Sequence, residues 1–312
     1  MSLPTRGWRS TSGDDVAGAV DGLLLSQPSC CERRVNDPDP AAHRSDHDLQ
    51  LGFMVALAFI VGDRLVTSEF KRRGYDAGLA STLVVWVAIA SFGGARLNDV
   101  IDNWRIYSTD PKSIIFSSTG FVFYGGFIGG SLASIVFAHR FRIRWLTLAD
   151  MCAPALALAH AIGRQGCQLS GDGDWGTPSK LPWAMAYPRA IVGWNAQTVM
   201  AVDRHCNLIS GFYPGVRVHP TPIYESALYI PVFLVLRPMQ KRTQVEGRVF
   251  DIFLMLYGAS RFLVEFLRIN PRVLLGLSEA QLISSVMTIA GGAAYAASIA
   301  RHPPASPRVG LA

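Results

Sequence analysis

Charge is scarce in this chain. Asp, Glu, Lys and Arg make up 17 % of its 312 residues, against about 25 % in an ordinary soluble domain. Half of the chain is apolar, and the mean hydropathy is +0.25. Such values exclude a disordered or collagen-like chain and argue against a cytosolic globule. Cysteine is sparse too: Cys30, Cys31, Cys152, Cys167 and Cys206 form no Cys-x-x-Cys pair. A disulfide-stapled mini-protein and a thiol redox motif are thereby excluded. The adjacent Cys30 and Cys31, with His43 and His47, lack the spaced pairs of a zinc site. With no dinucleotide fingerprint either, neither metal nor cofactor is expected. The absence of an internal repeat removes the usual sign of an inverted-repeat transporter.

What the chain does have is long apolar runs. A bilayer core takes about 20 mostly apolar residues per helix. Seven segments qualify, at 49–68, 79–95, 120–138, 148–163, 223–239, 249–267 and 281–300. The first is interrupted by Asp63 and Arg64, and the fourth is short. Basic residues in short loops set orientation. Lys71, Arg72, Arg73, Arg140, Arg142, Arg144, Arg237, Lys241, Arg242, Arg248, Arg301 and Arg308 fall on one side, twelve in all. The other side has five: Arg96, Arg105, Lys112, Arg268 and Arg272. The excess puts the C-terminus in the cytoplasm and the N-terminus outside. It also accounts for the net charge of +6 as a topology signal, so nucleic acid drops out as a partner.

The expected fold is therefore an all-α integral membrane protein with about seven transmembrane helices. Residues 1–48 read as a polar, disordered extracytoplasmic tail, 49–300 as the transmembrane domain and 301–312 as a cytoplasmic tail. The segment 164–222 reads as a long extracytoplasmic loop between spans four and five. Trp175, Trp183, Tyr187, Trp194 and Tyr213 dot it as in segments resting at a membrane interface.

Ionisable residues at membrane depth are functional candidates, because an unpaired charge in hydrocarbon is costly. His160 and Arg164 stand four apart at the outer end of span four and share one helix face. The glycine-rich stretch after them carries Asp172 and Asp174, placed to orient an arginine or take a proton. In span six, Arg261, Glu265 and Arg268 fall on one helical face. There a carboxylate can hold a guanidinium so that its fork grips a phosphate, or the pair can simply neutralise itself. His219-Pro-Thr-Pro-Ile-Tyr224-Glu225 enters span five, with Glu225 near the helix start, where a carboxylate also suits the dipole. Tyr124, a donor at the outer end of its span, is a further catalytic candidate, while Gly126 and Gly130, four apart, permit close helix contact. Arginines and carboxylates converging near one leaflet suit an anionic phospholipid head group.

The chain resembles the prolipoprotein diacylglyceryl transferase family over roughly residues 51–300. The likeness rests on Leu51-Gly-Phe-Met, Gly93-Gly-Ala-Arg-Leu97, Phe123-Tyr-Gly-Gly-Phe-Ile-Gly129, Asp150 and Gly163-Arg-Gln-Gly166 leading to Trp175-Gly176. It continues through His219 to Glu225, Glu246-Gly247, Tyr257 to Arg268 and Gln281-Leu-Ile-Ser. The resemblance implies transfer of the diacylglyceryl group of phosphatidylglycerol to the lipobox cysteine of a preprolipoprotein, giving a thioether and glycerol phosphate. It assigns Arg164 and Arg261 to the phosphate, and Glu225 and Glu265 to orienting them or managing protons. Gly176 would close the loop by the head group, with Asp172, Gly125, Gly126 and Tyr224 in substrate binding. The bacterial inner membrane is the implied location. The chain departs from the family pattern at Tyr124, which replaces the histidine of His-Gly-Gly. Cys167 and Ser170 stand in place of asparagines, Asp172 in place of glutamate, and Leu51 in place of tyrosine. His160, one turn before Arg164, is then a candidate to supply the missing imidazole. Alternative readings keep the phospholipid pocket with another acceptor or donor, or make the protein a non-catalytic phospholipid binder.

Overall fold

The computed structural model describes residues 40–102, 104, 108, 123–187, 195–196, 199–200, 217–270 and 272–301; side chains are described from residue 49 on, except those of 123–124, 195–196 and 199–200. Cys30, Cys31, Cys206, Trp194, Tyr213 and the side chains of His43, His47 and Tyr124 lie outside this description. Seven helices form the described fold. They are α1 (Pro40–Arg72), α2 (Ala77–Asp102), α3 (Phe123–Arg140), α4 (Trp145–Ser170), α5 (Thr221–Arg242), α6 (Arg248–Glu265) and α7 (Glu279–Arg301). Two small antiparallel hairpins accompany them: β1 (Asn195–Ala196) with β2 (Val199–Met200), and β3 (Arg272–Leu274) with β4 (Leu277–Ser278).

Four segments are long and apolar enough to cross a membrane: Leu49–Arg72, Ala77–Ile101, Trp145–Ser170 and Glu279–Arg301. The other three helices have visible reasons to fall short. Helix α3 has only 18 residues and ends in His139 and Arg140, prolines and charges interrupt α5, and α6 carries Arg248, Asp251, Arg261 and Glu265. Phe53, Ile60, Ile89, Phe92, Phe127, Leu132, Val286 and Ile289 are exposed. That density of bare large side chains along helices suits lipid as the surrounding solvent.

The described chain divides into two compact units. The larger comprises residues 53–165, 223–266 and 272–312. Local chemistry fixes its turns. After α1, Tyr75 N–H donates to the Phe70 carbonyl (2.9 Å) and Gly74 N–H to that of Lys71 (3.1 Å). This is the Schellman pattern, with Gly74 at φ 81° and the Phe70 and Tyr75 rings in contact. Asp76 then caps α2 by accepting from Gly78 N–H. The α3–α4 turn repeats the pattern, with Ile143 bonded to Ala138 and Arg142 taking the left-handed position at φ 54°. Asp150 of α4 caps another helix: its oxygens accept from Gly247 N–H (2.7 Å) and Phe250 N–H (2.8 Å) at the start of α6.

One core of this unit gathers Phe70, Leu83, Phe137, Leu148 and Met151 from α1 to α4. A second packs Ala153 and Ala157 of α4 against Val232 and Leu236 of α5 and Val249 and Phe253 of α6. Glycines bring two helix pairs closest. A Cβ on Gly125 would strike the Gly94 carbonyl, and one on Gly94 the Gly125 carbonyl, joining α2 to α3. Gly258 of α6 faces Ser284 and Thr288 of α7, and Gly291 of α7 faces Asp251 and Leu254.

The smaller unit comprises residues 1–52, 166–222 and 267–271. Its described part is held by backbone pairing around Gly176. Gly176 N–H donates to the His219 carbonyl (2.8 Å), Thr177 N–H to that of Leu267 (2.8 Å), and His219 N–H to that of Thr177 (3.0 Å). Trp175, 2 % exposed, stacks on Tyr187 at 5.0 Å. Tyr187 in turn donates to Gln168 (2.7 Å).

Two expectations need correction. Span four was expected over 148–163, but α4 is one continuous helix from Trp145 to Ser170. Arg164 is therefore inside a helix rather than at the start of a loop. Arg268 was expected on the face of Arg261 and Glu265, but α6 ends at Glu265. Beyond it the chain turns at 266–267, with an isolated Arg268–Gly176 bridge and the Leu267 carbonyl accepting from Thr177. Helix α1 begins at Pro40, and the candidate span within it starts at Leu49, where the first apolar run was expected to start.

Candidate active site

In the larger unit, helices α4, α5 and α6 each contribute two chemically active side chains four residues apart. They are His160 and Arg164, Glu225 and Tyr229, and Tyr257 and Arg261. Side chains at that spacing sit one above the other on a helix. Three such pairs from neighbouring helices build two tiers, one charged and one aromatic.

The charged tier centres on Glu225, which is 1 % exposed. Its Oε2 lies 2.5 Å from Arg164 Nε and its Oε1 2.6 Å from Arg261 Nη1. The other face of Arg261 meets Glu265, with Nη2 3.0 Å from Oε2. Glu265 is fully buried and its Oε1 accepts from Ser278 Oγ (2.8 Å) on β4. Ser278 is fixed in turn by Gln281, whose Oε1 accepts from Ser278 N–H and from Arg272. Two carboxylates thus balance two guanidiniums. A buried charge is tolerable only with such partners. The arginine side chains are 12 % and 20 % exposed, against 1 % and 0 % for the two acids.

The aromatic tier is His160, Tyr229 and Tyr257. The two tyrosine rings stack at 4.9 Å, and the imidazole stands edge-on to both, 4.6 Å from Tyr229 and 5.2 Å from Tyr257. His160 Nδ1 lies 3.2 Å from the Tyr257 hydroxyl and its Nε2 3.7 Å from Glu225 Oε2. The ring therefore bridges the two tiers. Beside them, Gln165 donates to Ser226 Oγ (2.6 Å), which donates to the Ala161 carbonyl (2.9 Å), pinning α4 to α5.

The smaller unit holds the remaining candidates. Arg268 pairs with Asp174, and Thr221 Oγ1 donates to the Asp174 carbonyl. The acid that meets an arginine here is Asp174, while Asp172 accepts from Asp174 N–H (3.3 Å). A Cβ on Gly176 would lie 2.5 Å from the Leu267 carbonyl and 2.9 Å from both His219 Cβ and Thr221 Cγ2. Only glycine fits that crossing. Cys167, Asp172 and Asp174 offer donor atoms within 4.8 Å of one another, the one group of metal-ligating types among the described residues. Of these, Asp174 is also paired to Arg268.

Of the other expected residues, Gly125 and Gly126 pack against α2. Tyr224 is half-buried on α5, and Tyr124 is described only as the second residue of α3. Sequence reasoning missed Tyr229, Tyr257 and Ser278. The signal for the tyrosines was available, since each stands four residues from a charge already singled out.

Lipid-facing apolar helices around buried ion pairs define a helical membrane protein with a polar centre between its helices. Comparison with known proteins makes the assignment specific. A sequence model of the prolipoprotein diacylglyceryl transferase family matches residues 50–297, and the chain belongs to that family. A phosphatidylglycerol–prolipoprotein diacylglyceryl transferase of Nostoc sp. is 32 % identical over 240 residues, 75 % of this chain and 79 % of the relative. Transferases of the same name from Finegoldia magna and Synechocystis sp. are each 30 % identical, covering 77 % and 78 % of this chain and 87 % and 82 % of their own lengths.

Proposed function

We propose that this protein transfers the diacylglyceryl group of phosphatidylglycerol to the lipobox cysteine thiol of a preprolipoprotein. The observation that carries the reading is the Arg164–Glu225–Arg261–Glu265 chain of ion pairs, in a member of this family. The cysteine sulfur bonds to the terminal glyceryl carbon, and the bond from that carbon to the phosphate-ester oxygen breaks. The electron pair stays on glycerol phosphate, and the thiol proton passes to a base. Arg164 and Arg261 hold the phosphate and stabilise its growing charge. Glu225 and Glu265 keep both guanidiniums in place, which removes their reorganisation from the barrier. His160 serves as the base, with Tyr257 orienting the imidazole; its 3.2 Å contact to that hydroxyl supports the role. Tyr124 is a further polar group of the site. Asp172, Gly176, Tyr224, Gly125 and Gly126 take part in substrate binding.

The reading includes seven membrane spans in a bacterial inner membrane, with the N-terminus outside and the C-terminus cytoplasmic. The loop between α4 and α5 is then extracytoplasmic. The excess of basic residues on one set of loops supports that orientation. The purified protein should transfer labelled diacylglyceryl from phosphatidylglycerol to a lipobox peptide and release glycerol phosphate. Arg261→Lys removes the planar fork and should lower transfer about 10²- to 10³-fold, with membrane insertion unchanged. His160→Ala should lower it about 10²-fold or more. Full activity of His160→Ala would remove the imidazole from the mechanism. Absence of transfer by well-inserted wild-type protein would leave the phospholipid site with another acceptor.

A further inference from the structure

A second gathering of guanidiniums lies at the other end of α5, and the proposed reaction does not use it. Arg237 is twelve residues past Glu225, about 18 Å along the helix at the standard rise. It meets the last turn of α1, where Glu69 is fully buried. Glu69 accepts from Arg72 Nε (2.9 Å) and Nη2 (2.5 Å) and from Arg73 Nε (2.8 Å), and stands 3.6 Å from Arg237 Nη1. Neutral groups complete the frame. Arg72 also donates to the Gln240 carbonyl (3.0 Å), and Arg237 donates to Gln240 Oε1 (2.5 Å) and Ser68 Oγ (2.7 Å). Gln240 is buried and bonded to the Asp150 and Met151 carbonyls of α4.

The charges do not balance. Three guanidiniums face one carboxylate. Of the other buried acids at this end, Asp150 has both oxygens bonded to backbone N–H groups at the start of α6, and Asp251 lies in the field of Arg301 and Arg248. Counting Asp150 as well still leaves a positive excess. The neighbouring Arg144–Glu246 pair, in contrast, is neutral within itself (2.8 Å). Burial sets the direction: Glu69 is 0 % exposed, while Arg72, Arg73 and Arg237 are 36 %, 19 % and 21 % exposed. Both terminal nitrogens of Arg73 lack a partner among the described residues.

An orientation signal needs only positive charge in a loop, as Arg140 and Arg142 supply. It does not need three guanidiniums converging from two helices on one buried acid. That arrangement fixes the forks before a ligand arrives and leaves part of each guanidinium side chain exposed. Planar forks suit the oxygens of a phosphate, and a helix end at a membrane surface is where an anionic head group reaches. We propose that Arg72, Arg73 and Arg237, held by Glu69, form a second phosphate-binding site, for the phosphate of an anionic phospholipid head group or of a free phosphate ion.

The test uses the full-length protein in detergent, titrated with phosphatidylserine, phosphatidylcholine or inorganic phosphate. Native mass spectrometry counts bound lipid, and thermal unfolding reads phosphate. The variant is R73Q/R237Q, which leaves Arg72 to neutralise Glu69; R73Q/R237Q/E69Q removes the buried charge as well. Both should stay monodisperse and keep wild-type transfer activity. Wild type should bind one more phosphatidylserine than either variant, with that step weakened at least tenfold by the substitutions and phosphatidylcholine unaffected. Should only inorganic phosphate raise the wild-type unfolding temperature, and neither variant's, the site stands with free phosphate as its ligand. Equal phosphatidylserine binding and equal phosphate response in wild type and both folded variants would overturn the proposal.

Discussion

Glu225 meets Arg164 at 2.5 Å and Arg261 at 2.6 Å while itself 1 % exposed, so one carboxylate ties two other helices to its own. Removing one partner from a buried ion pair costs about 3–5 kcal/mol, because the other charge is left behind. Glu225→Gln should therefore lower the thermal unfolding temperature of the purified protein as well as its transfer rate. Glu225→Asp keeps the charge but withdraws it by one methylene; it should recover most of the stability and little of the rate. Equal recovery of both would mean that Glu225 acts by charge alone and not by positioning the arginines. At this scale much was legible. The four-residue spacings of His160 with Arg164 and of Arg261 with Glu265 are enough by themselves to place each pair on one helix face. Tyr229 and Tyr257 were passed over, despite standing four residues from Glu225 and Arg261, because an aromatic in an apolar run reads as packing. The packing of α4, α5 and α6 then brings their rings together with His160. Arg268 misled for the opposite reason: its spacing continued a helix that the backbone pairing at Gly176 cuts short.

Helices in lipid gain little from hydrophobic burial against one another, so close contact has to come from small residues. The α2–α3 pair meets this need through Gly94, Gly125 and Gly129, where any added Cβ would run into facing backbone. Gly94→Val should destabilise by about 1–3 kcal/mol, seen as earlier unfolding in detergent. Gly93→Val is the control, since nothing lies within 4 Å of its Cβ position. Gly176→Ala tests the other unit, where the new methyl would press on the Leu267 carbonyl. Limited proteolysis between residues 177 and 187 should then speed up severalfold, and an unchanged cleavage rate would show that the crossing yields easily. The glycine pattern of α3 was readable as a contact surface from spacing alone. The length of α4 was not: Arg164 to Ser170 is polar and glycine-containing, and local composition argued for a loop. Tertiary partners supply what composition lacked, with Gln165 held by Ser226 and Gln168 by Tyr187.

Across the molecule, the two arginine clusters stand at opposite ends of α5 with buried acids behind them. This pattern ties topology to chemistry. If the C-terminus is cytoplasmic, the Glu69 cluster faces the cytoplasm and the Glu225 cluster the outer leaflet, where a translocated lipobox cysteine arrives. The prediction is direct because each side offers a partly exposed loop position. Ser179→Cys, in the segment between α4 and α5, should react with a membrane-impermeant maleimide in intact cells. Thr243→Cys, between α5 and α6, should react only after the membrane is opened. The native cysteines do not blur the readout if both variants are built in a background lacking all five. The reverse labelling pattern would place the Arg164–Arg261 centre on the cytoplasmic side. A secreted acceptor could not then reach it, and transfer to lipobox cysteines would have to be abandoned whatever the geometry of the ion pairs. Labelling of both positions in intact cells would break the seven-span topology instead, since two loops joined by the single helix α5 would share one side.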